Sequence, residues 1–368
     1  MSERKTTIDH LFDANEVIRK QNVEIIDYRR TINQLHKELD RENDVREVIF
    51  QIASHDPNPP SWTTELPRSH RVRGTPVGVW SDIHYGETCV TNPQNGIPKF
   101  NAAIAQRRIR YLTDRTIDLC FNHMGDPKTK YPGIIICLGG DLVGGDIHEE
   151  LAKFSDRTPL SAVNDLTDLL AAAIEKLAGA FGYVYLPCVV GNHGRTTRKP
   201  ESKFIAENNY DYSIYCNLIR YFKKTRRVQF SASRGPDCHF RSYHHRFGLT
   251  HGDRLGVKGG DGIIGAIGPI MRGAFKIGHQ KEAVNQGFDT LIVCHYNIYL
   301  PLPRVVVNGA LKGPDEYSVN KLRLRPEVPT QALIFVHPKY GIVDQKGVML
   351  EEPKVPRKEV PWVSWQDD

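Results

Sequence analysis

The chain has 368 residues, 40% of them hydrophobic and 25% charged, a balance that excludes a disordered polymer and suffices to bury a full core. No apolar run approaches the ~20 residues that span a bilayer, and the opening MSERKTTIDH lacks the apolar stretch of a secretory leader, so a membrane or exported protein is not expected. The net charge of +6 is too mild to name a partner by itself.

Residues 7 to 53 contain neither proline nor glycine and read as helix. Leu11, Ile18, Ile25, Ile32 and Leu39 recur every seven residues, with Ala14, Tyr28 and Leu35 in the companion position, although Gln21 and Glu42 weaken the seam. This is a coiled-coil-like arm over 1–53, either self-associating into a homo-oligomer or folded back as a helix on the body. SHDPNPPSW then breaks the helix, and 54–74 reads as a proline-rich linker. From residue 75 short apolar runs (TPVGVWSD, PGIIICLGGD, GYVYLPCVVGN) alternate with helical stretches at about 99–123 and 159–180. That punctuation predicts an α/β body with a buried sheet over 75–350. Helical stretches at 204–224 and 259–286 follow, then a strand-rich final third and a tail at 351–368.

The seven cysteines (89, 120, 137, 188, 216, 238 and 294) form no CxxC pair, and several lie inside apolar runs. They read as reduced core thiols of a cytoplasmic protein. Between Arg195 and Lys258 there are 14 Lys and Arg against 5 Asp and Glu, a local excess that attracts anions, phosphate polymers most of all.

Residues able to ligate metals fall at the ends of the apolar runs: Asp82 and His84 in VWSDIHYG, Asp141 in CLGGDLVGG, Asn192 and His193 in VVGNHGR, His251 in GLTHGD, His295 in IVCHYN. A lone histidine after a strand means little. Five strand ends delivering oxygen and imidazole groups to one sheet edge, flanked by glycines, can assemble one site.

This series of D-x-H, GGD, GNH, HG and a last strand ending in CHYN resembles the calcineurin-like metallophosphoesterase superfamily over roughly residues 75 to 310. The stretches GNHGR and NGALKGPDEY are most similar to phage-encoded members that resemble DNA-repair exonucleases. The resemblance implies a two-sheet sandwich flanked by helices and a site for two divalent cations, Mn²⁺ first, with Fe, Zn or Mg as alternatives. It implies Asp82 and His84 on the first cation, Asp141 bridging, and Asn192, His251 and His295 on the second, with His193 unligated and facing the phosphate as general acid. Such a donor set suits those ions better than thiolate-seeking ones.

Two positions depart from that pattern. Asn297 stands where the motif has a histidine, so its carbonyl would be the first cation's weaker ligand. Gly194 stands where an acidic residue usually follows GNH. Shifted metal preference, a non-catalytic relative and an inactivating replacement all remain open for Asn297. Arg195 directly follows and is placed to clamp a phosphate oxygen. Arg198, Lys199 and Lys203, with KKTRR at 223–227, point to an extended anion. The expectation is a phosphodiesterase acting on DNA or RNA. The alternatives are a phosphatase or cyclic-nucleotide-type phosphodiesterase, and a non-catalytic scaffold. Tyr210, Tyr212 and Tyr215 offer base stacking or, more simply, a core stripe.

Overall fold

The computed structural model describes residues 59–66, 74–90, 96–123, 130–147, 149–255, 267–321, 323 and 325–351, together with Gln21. Contacts divide the chain into Met1–Asn58 and Pro59–Asp368, and the architecture below is that of the second unit. Apart from Gln21, the heptad arm lies outside the described residues, as do the Gly-rich segment from 256 to 266 and the tail beyond 351.

Two sheets form the body. The first has the order β11-β10-β1-β2-β3-β4, where β1 is Thr75–Trp80, β2 Ile134–Leu138, β3 Val184–Cys188, β4 Val228–Ala232, β10 Thr330–His337 and β11 Gly341–Met349. The second has the order β5-β6-β7-β9-β8, from Asp237–Ser242, His245–Thr250, Thr290–Val293, Val305–Val307 and Leu300–Leu302 respectively. In the first sheet β1, β2, β3 and β4 run parallel, and in the second β6, β7 and β9 do.

The apolar runs alternate between two cores because successive strand side chains point to opposite faces. In β2, Ile134, Ile136 and Leu138 join the core under the helices. Ile135 and Cys137 instead meet Phe240, Phe247, Leu249 and Ile292 of the second sheet. Helices α2 (Ala102–Asp118), α4 (Pro159–Phe181) and α5 (Tyr210–Tyr221) cover the outer face of the first sheet. Helix α6 (Ile267–Glu282) covers the second sheet through Ile270, Ala274 and Ile277. A two-sheet sandwich flanked by helices results, and the strand ends bearing polar residues emerge along one edge. No helix among the described residues is long and apolar enough to cross a membrane. All seven cysteines are free thiols and six are buried.

Three local features differ from the sequence reading. The 54–74 segment contains a helical turn, α1 (Ser61–Thr64). Its Thr63 is fully buried, its carbonyl accepts from Tyr243 N, and Trp62 stacks on Tyr183. The short α3 (Glu149–Lys153) buries no residue. Finally, the basic KKTRR cluster occupies the turn entering β4, the end of that strand opposite the metal-type residues. It therefore does not extend the cations on the site side.

A buried polar network fastens the two sheets behind the edge. Asn308, fully buried, donates from Nδ2 to Ser81 Oγ (2.8 Å) and Gln331 Oε1 (3.2 Å) and accepts from Ala332 N (2.8 Å). Gln331 Oε1 also accepts from Ser81 N (2.8 Å). Asn308→Ala is expected to strand buried donors and acceptors and lower unfolding stability by about 1–3 kcal/mol. Urea denaturation reads it, and an unchanged midpoint would show that the network contributes nothing.

Candidate metal centre

The strand-end loops are laced together by their own backbones. Asp82 N donates to Gly140 O (3.1 Å), His84 N to Asp141 O (3.0 Å) and Cys294 N to His251 O (2.9 Å), while Leu311 N and Lys312 N both donate to Asp82 O. The loops are also strained. Ten described non-glycine residues have positive φ, and five of them are Asp82 (50°), His84 (50°), Asp141 (49°), His295 (71°) and Asn297 (58°). Each such residue costs of order 1–3 kcal/mol and persists only where surrounding contacts over-determine it.

Asp141 is the hub. Oδ2 lies 3.0 Å from His251 Nε2, and Oδ1 accepts from His193 N at 2.7 Å. Its carboxylate belongs to two groups whose ligand atoms all lie within 4.8 Å of one another: His84, Asp141 and His193, and Asp141, His251 and His295. Asn192 joins the second group, since its Oδ1 lies 3.2 Å from His251 Nε2. Asp82 falls in neither group of three but borders both. Its Oδ2 accepts from Ser81 Oγ (2.5 Å) and from His295 N (3.3 Å).

Several atoms here lack what burial demands. His251 Nδ1 donates to Gly139 O (2.8 Å), so in the neutral ring the Nε2 lone pair faces two oxygens, Asp141 Oδ2 and Asn192 Oδ1. Only a proton or a cation relieves three converging lone pairs. Asp82 Oδ1 and Asn297 Oδ1 are buried oxygens without a hydrogen-bond partner among the described residues, against the rule that buried polar groups are satisfied. Mixed carboxylate, amide and imidazole donors fit divalent cations of the Mn, Fe or Zn kind.

The electrostatics agree. Burial would lower the His251 pKa, but the Asp141 carboxylate overrides it and pushes it up to about 10. Burial would raise Asp141, and the His251 charge instead holds it well below the usual carboxylate range. Asp82, where burial dominates and the like charge of Asp141 adds to it, is raised. Burial lowers His193 to about 4, and its Nδ1 faces Gly144 O at 3.2 Å.

The remaining anticipated residues lie around this centre. Arg195 spends three N–H groups on carbonyls, those of Thr197 (3.1 Å), Asn192 (2.9 Å) and Arg198 (3.5 Å). It lines a cleft with Asn192, Ile205, Asn209, Asp253 and Arg254. Arg198, Lys199 and Lys203 are exposed on the same loop. Tyr215 is core, its OH bonded to Val189 O (2.7 Å), and Tyr210 and Tyr212 pack partly buried beside it.

Two sets of supporting residues escaped sequence reasoning. At the start of α5, Asn209 Nδ2 donates to Gly191 O (2.8 Å), and Asp211 accepts from Gly191 N (3.0 Å) and Leu142 N (3.1 Å). This clamp explains Gly194: a Cβ there would stand 2.3 Å from Asn209 Oδ1 and 3.1 Å from the Asp211 carboxyl. Gly191 is equally forced, with a Cβ 2.1 Å from Asp141 Oδ1. The second set is a buried chain of charge. Lys312 Nζ pairs with Glu87 (2.9 Å) and Asp315 (2.5 Å), and Glu87 Oε2 faces His84 Nδ1 at 3.3 Å. Burial opposes both charges, yet Lys312 holds Glu87 well below the usual range and Glu87 holds Lys312 above its own. The legible signal was a lysine within an otherwise apolar, glycine-bounded NGALKG.

No protein-family model and no curated protein matches the sequence. Among solved structures, the fold is similar to the Thermus thermophilus sulfate thiohydrolase SoxB, at 10% identity, with a TM-score of 0.31, over 78% of this chain and 58% of that one. It is likewise similar to a protein assigned as a 5'-nucleotidase from Staphylococcus aureus, at 10% identity, with a TM-score of 0.29, over 78% of this chain and 56% of that one. The chain thus spans less than two thirds of either protein. Similarity this distant says nothing about residues or substrate.

The His251 shift gives a sign that can be checked. Its pKa is raised above the ordinary value of about 6.5, so its contribution to stability is complete below that pH and fades as pH rises toward about 10. Below about pH 10 the proton must leave before Nε2 accepts a cation. In protein stripped with chelator, Mn²⁺ uptake at pH 7.5 is expected to release about one proton and to tighten roughly tenfold per pH unit. Calorimetry in two buffers of different ionisation heat measures this, and uptake without proton release would contradict the arrangement.

Proposed function

We propose that this protein is a metal-dependent phosphodiester hydrolase of the calcineurin-like metallophosphoesterase kind, acting on DNA or RNA. The observation that carries the reading is the single buried carboxylate of Asp141 shared between two imidazole-bearing groups. Asp82, His84, Asp141 and Asn297 would hold one divalent cation, and Asp141, Asn192, His251 and His295 the other, with Mn²⁺ the first choice. When bound, such a pair lowers the pKa of water toward about 7 and neutralises charge on phosphoryl oxygens.

The chain's own groups supply the rest. His193 is held by its main-chain N–H on Asp141 and by Nδ1 at Gly144 O, which directs Nε2 away from that carbonyl. Burial keeps the ring neutral in the resting protein. An arriving phosphodiester anion favours the protonated ring, which then gives its Nε2 proton to the leaving oxygen, a contribution of ~10²–10⁴-fold. His193 also stands within ligand distance of His84 and Asp141, so the same imidazole can serve a cation before substrate arrives. Arg195 orders the loop and lines the cleft beside Asn192, where its remaining donors meet a phosphate.

Arg198, Lys199, Lys203, Arg234 and Arg254 support an extended anion on the site side. The placement of KKTRR at the far end of β4 favours a second reading, a small phosphoester, because the cationic surface near the site is shorter than the sequence suggested. Both readings predict Mn²⁺-dependent hydrolysis of a generic phosphoester, a diester or, for a phosphatase, a monoester, abolished by chelator and by Asp141→Ala, which is expected to lose metal at both groups. Absence of any hydrolysis would reject enzymatic function and leave a scaffold.

A triple Arg198→Ala, Lys199→Ala, Lys203→Ala variant separates the two substrate classes. It is expected to raise KM for single- or double-stranded polynucleotide and flatten its salt dependence, while leaving the generic diester unaffected. Equal KM values for wild type and variant on every polynucleotide would favour the small substrate. Asn297→His is expected to tighten metal binding and raise Mn²⁺-dependent turnover, and lowered turnover would give the amide a different role.

A further inference from the structure

We infer that Glu87 and Lys312 are a buried positioning pair that fixes His84 for a cation in the His84–Asp141 group, an inference that rests on reading this site as a metal centre. Lysine is among the residues least often fully buried, and burying its charge demands partners. Lys312 has two, Glu87 and Asp315. One carboxylate would neutralise it. The partly buried Asp315 takes up that charge as well, which leaves one oxygen of Glu87 to face His84.

The geometry shows where it is directed. Glu87 uses Oε1 on Lys312 Nζ at 2.9 Å, while Oε2 lies 3.3 Å from His84 Nδ1. Neither Oε2 nor Nδ1 has a hydrogen-bond partner among the described residues, so the contact between them is the one polar contact each has there. A carboxylate behind one ring nitrogen selects the tautomer with its proton on that side and leaves the other nitrogen's lone pair outward, which orients the ring toward a cation. The His84 ring stands edge-on to His193, centroids 4.5 Å apart, within the group that includes Asp141.

Lys312 acts at a second point. Its main-chain N–H donates to Asp82 O (3.2 Å), and its carbonyl is held by Arg108 Nη1 (2.5 Å). Arg108, itself fully buried, also takes Leu311 O (2.8 Å). One residue thus supports Asp82 through its backbone and His84 through Glu87. A merely structural ion pair would need Asp315 alone and would have no reason to aim a spare carboxylate oxygen at an imidazole.

The test is Mn²⁺ titration calorimetry of the full chain, comparing wild type, Glu87→Gln, His84→Ala and the double variant, with unfolding stability measured in chelator. Glu87→Gln is expected to weaken one of two sites by about 10–100-fold, to leave the other unchanged, and to add nothing in the His84→Ala background. Wild-type affinity at both sites in folded Glu87→Gln, or equal weakening of both, would overturn the inference while leaving the metal centre intact. Wild-type protein that takes up no Mn²⁺ would overturn the metal centre itself. Should Glu87→Gln fail to fold, Glu87→Asp, which keeps the charge and withdraws it from the ring, is read by the same outcomes. Lys312→Met serves as a second probe of the same site, expected to follow Glu87→Gln.

Discussion

The structure turns on one electrostatic requirement: Asp141 is a fully buried carboxylate that cannot stay charged without cations around it. An isolated ionised carboxylate in a low-dielectric interior costs several kcal/mol, and here His251 stands against one of its oxygens at 3.0 Å. Every loop that reaches this carboxylate does so at the end of a parallel strand. The strand order brings β1, β2 and β3 side by side in one sheet and β6 and β7 in the other, so residues separated by more than 200 positions share one edge. Positive φ at five of these residues is the conformational cost of turning the chain sharply enough to aim them inward.

What keeps so much buried polarity in place is a shell of groups that are themselves fully engaged. Asn209 and Asp211 clamp the loops after β2 and β3 from the start of α5. Ser81, Asn308 and Gln331 tie the ends of β1, β9 and β10. Low local dielectric makes such networks worth more when complete and more damaging when broken. The centre is left incomplete, since Asp82 Oδ1, His84 Nδ1 and Asn297 Oδ1 have no hydrogen-bond partner among the described residues.

Gly194 and Asn297, the two positions that break the motif series, then receive different physical accounts. Gly194 is a steric consequence, because Asn209 and Asp211 already occupy the space a side chain would need. Asn297 is a chemical substitution, an amide oxygen in place of an imidazole, still buried and still unpaired. An amide oxygen is a harder donor than an imidazole nitrogen.

The amino-acid sequence by itself determined the layering and the candidate site. Continuous apolar runs such as IIICL and VYLPC, which the fold buries throughout, the helical stretches between them and polar residues at each strand end are local signals, written in adjacent residues. Tertiary structure alone decided the rest. Which Asp141 oxygen meets which ring, how Lys312 reaches Glu87 across 225 positions, why residue 194 must be glycine, and which end of β4 carries the KKTRR charges all depend on strand direction and on contacts between distant segments. Those contacts leave no periodicity in the chain, because the fold, and not the neighbouring residues, brings the partners within reach.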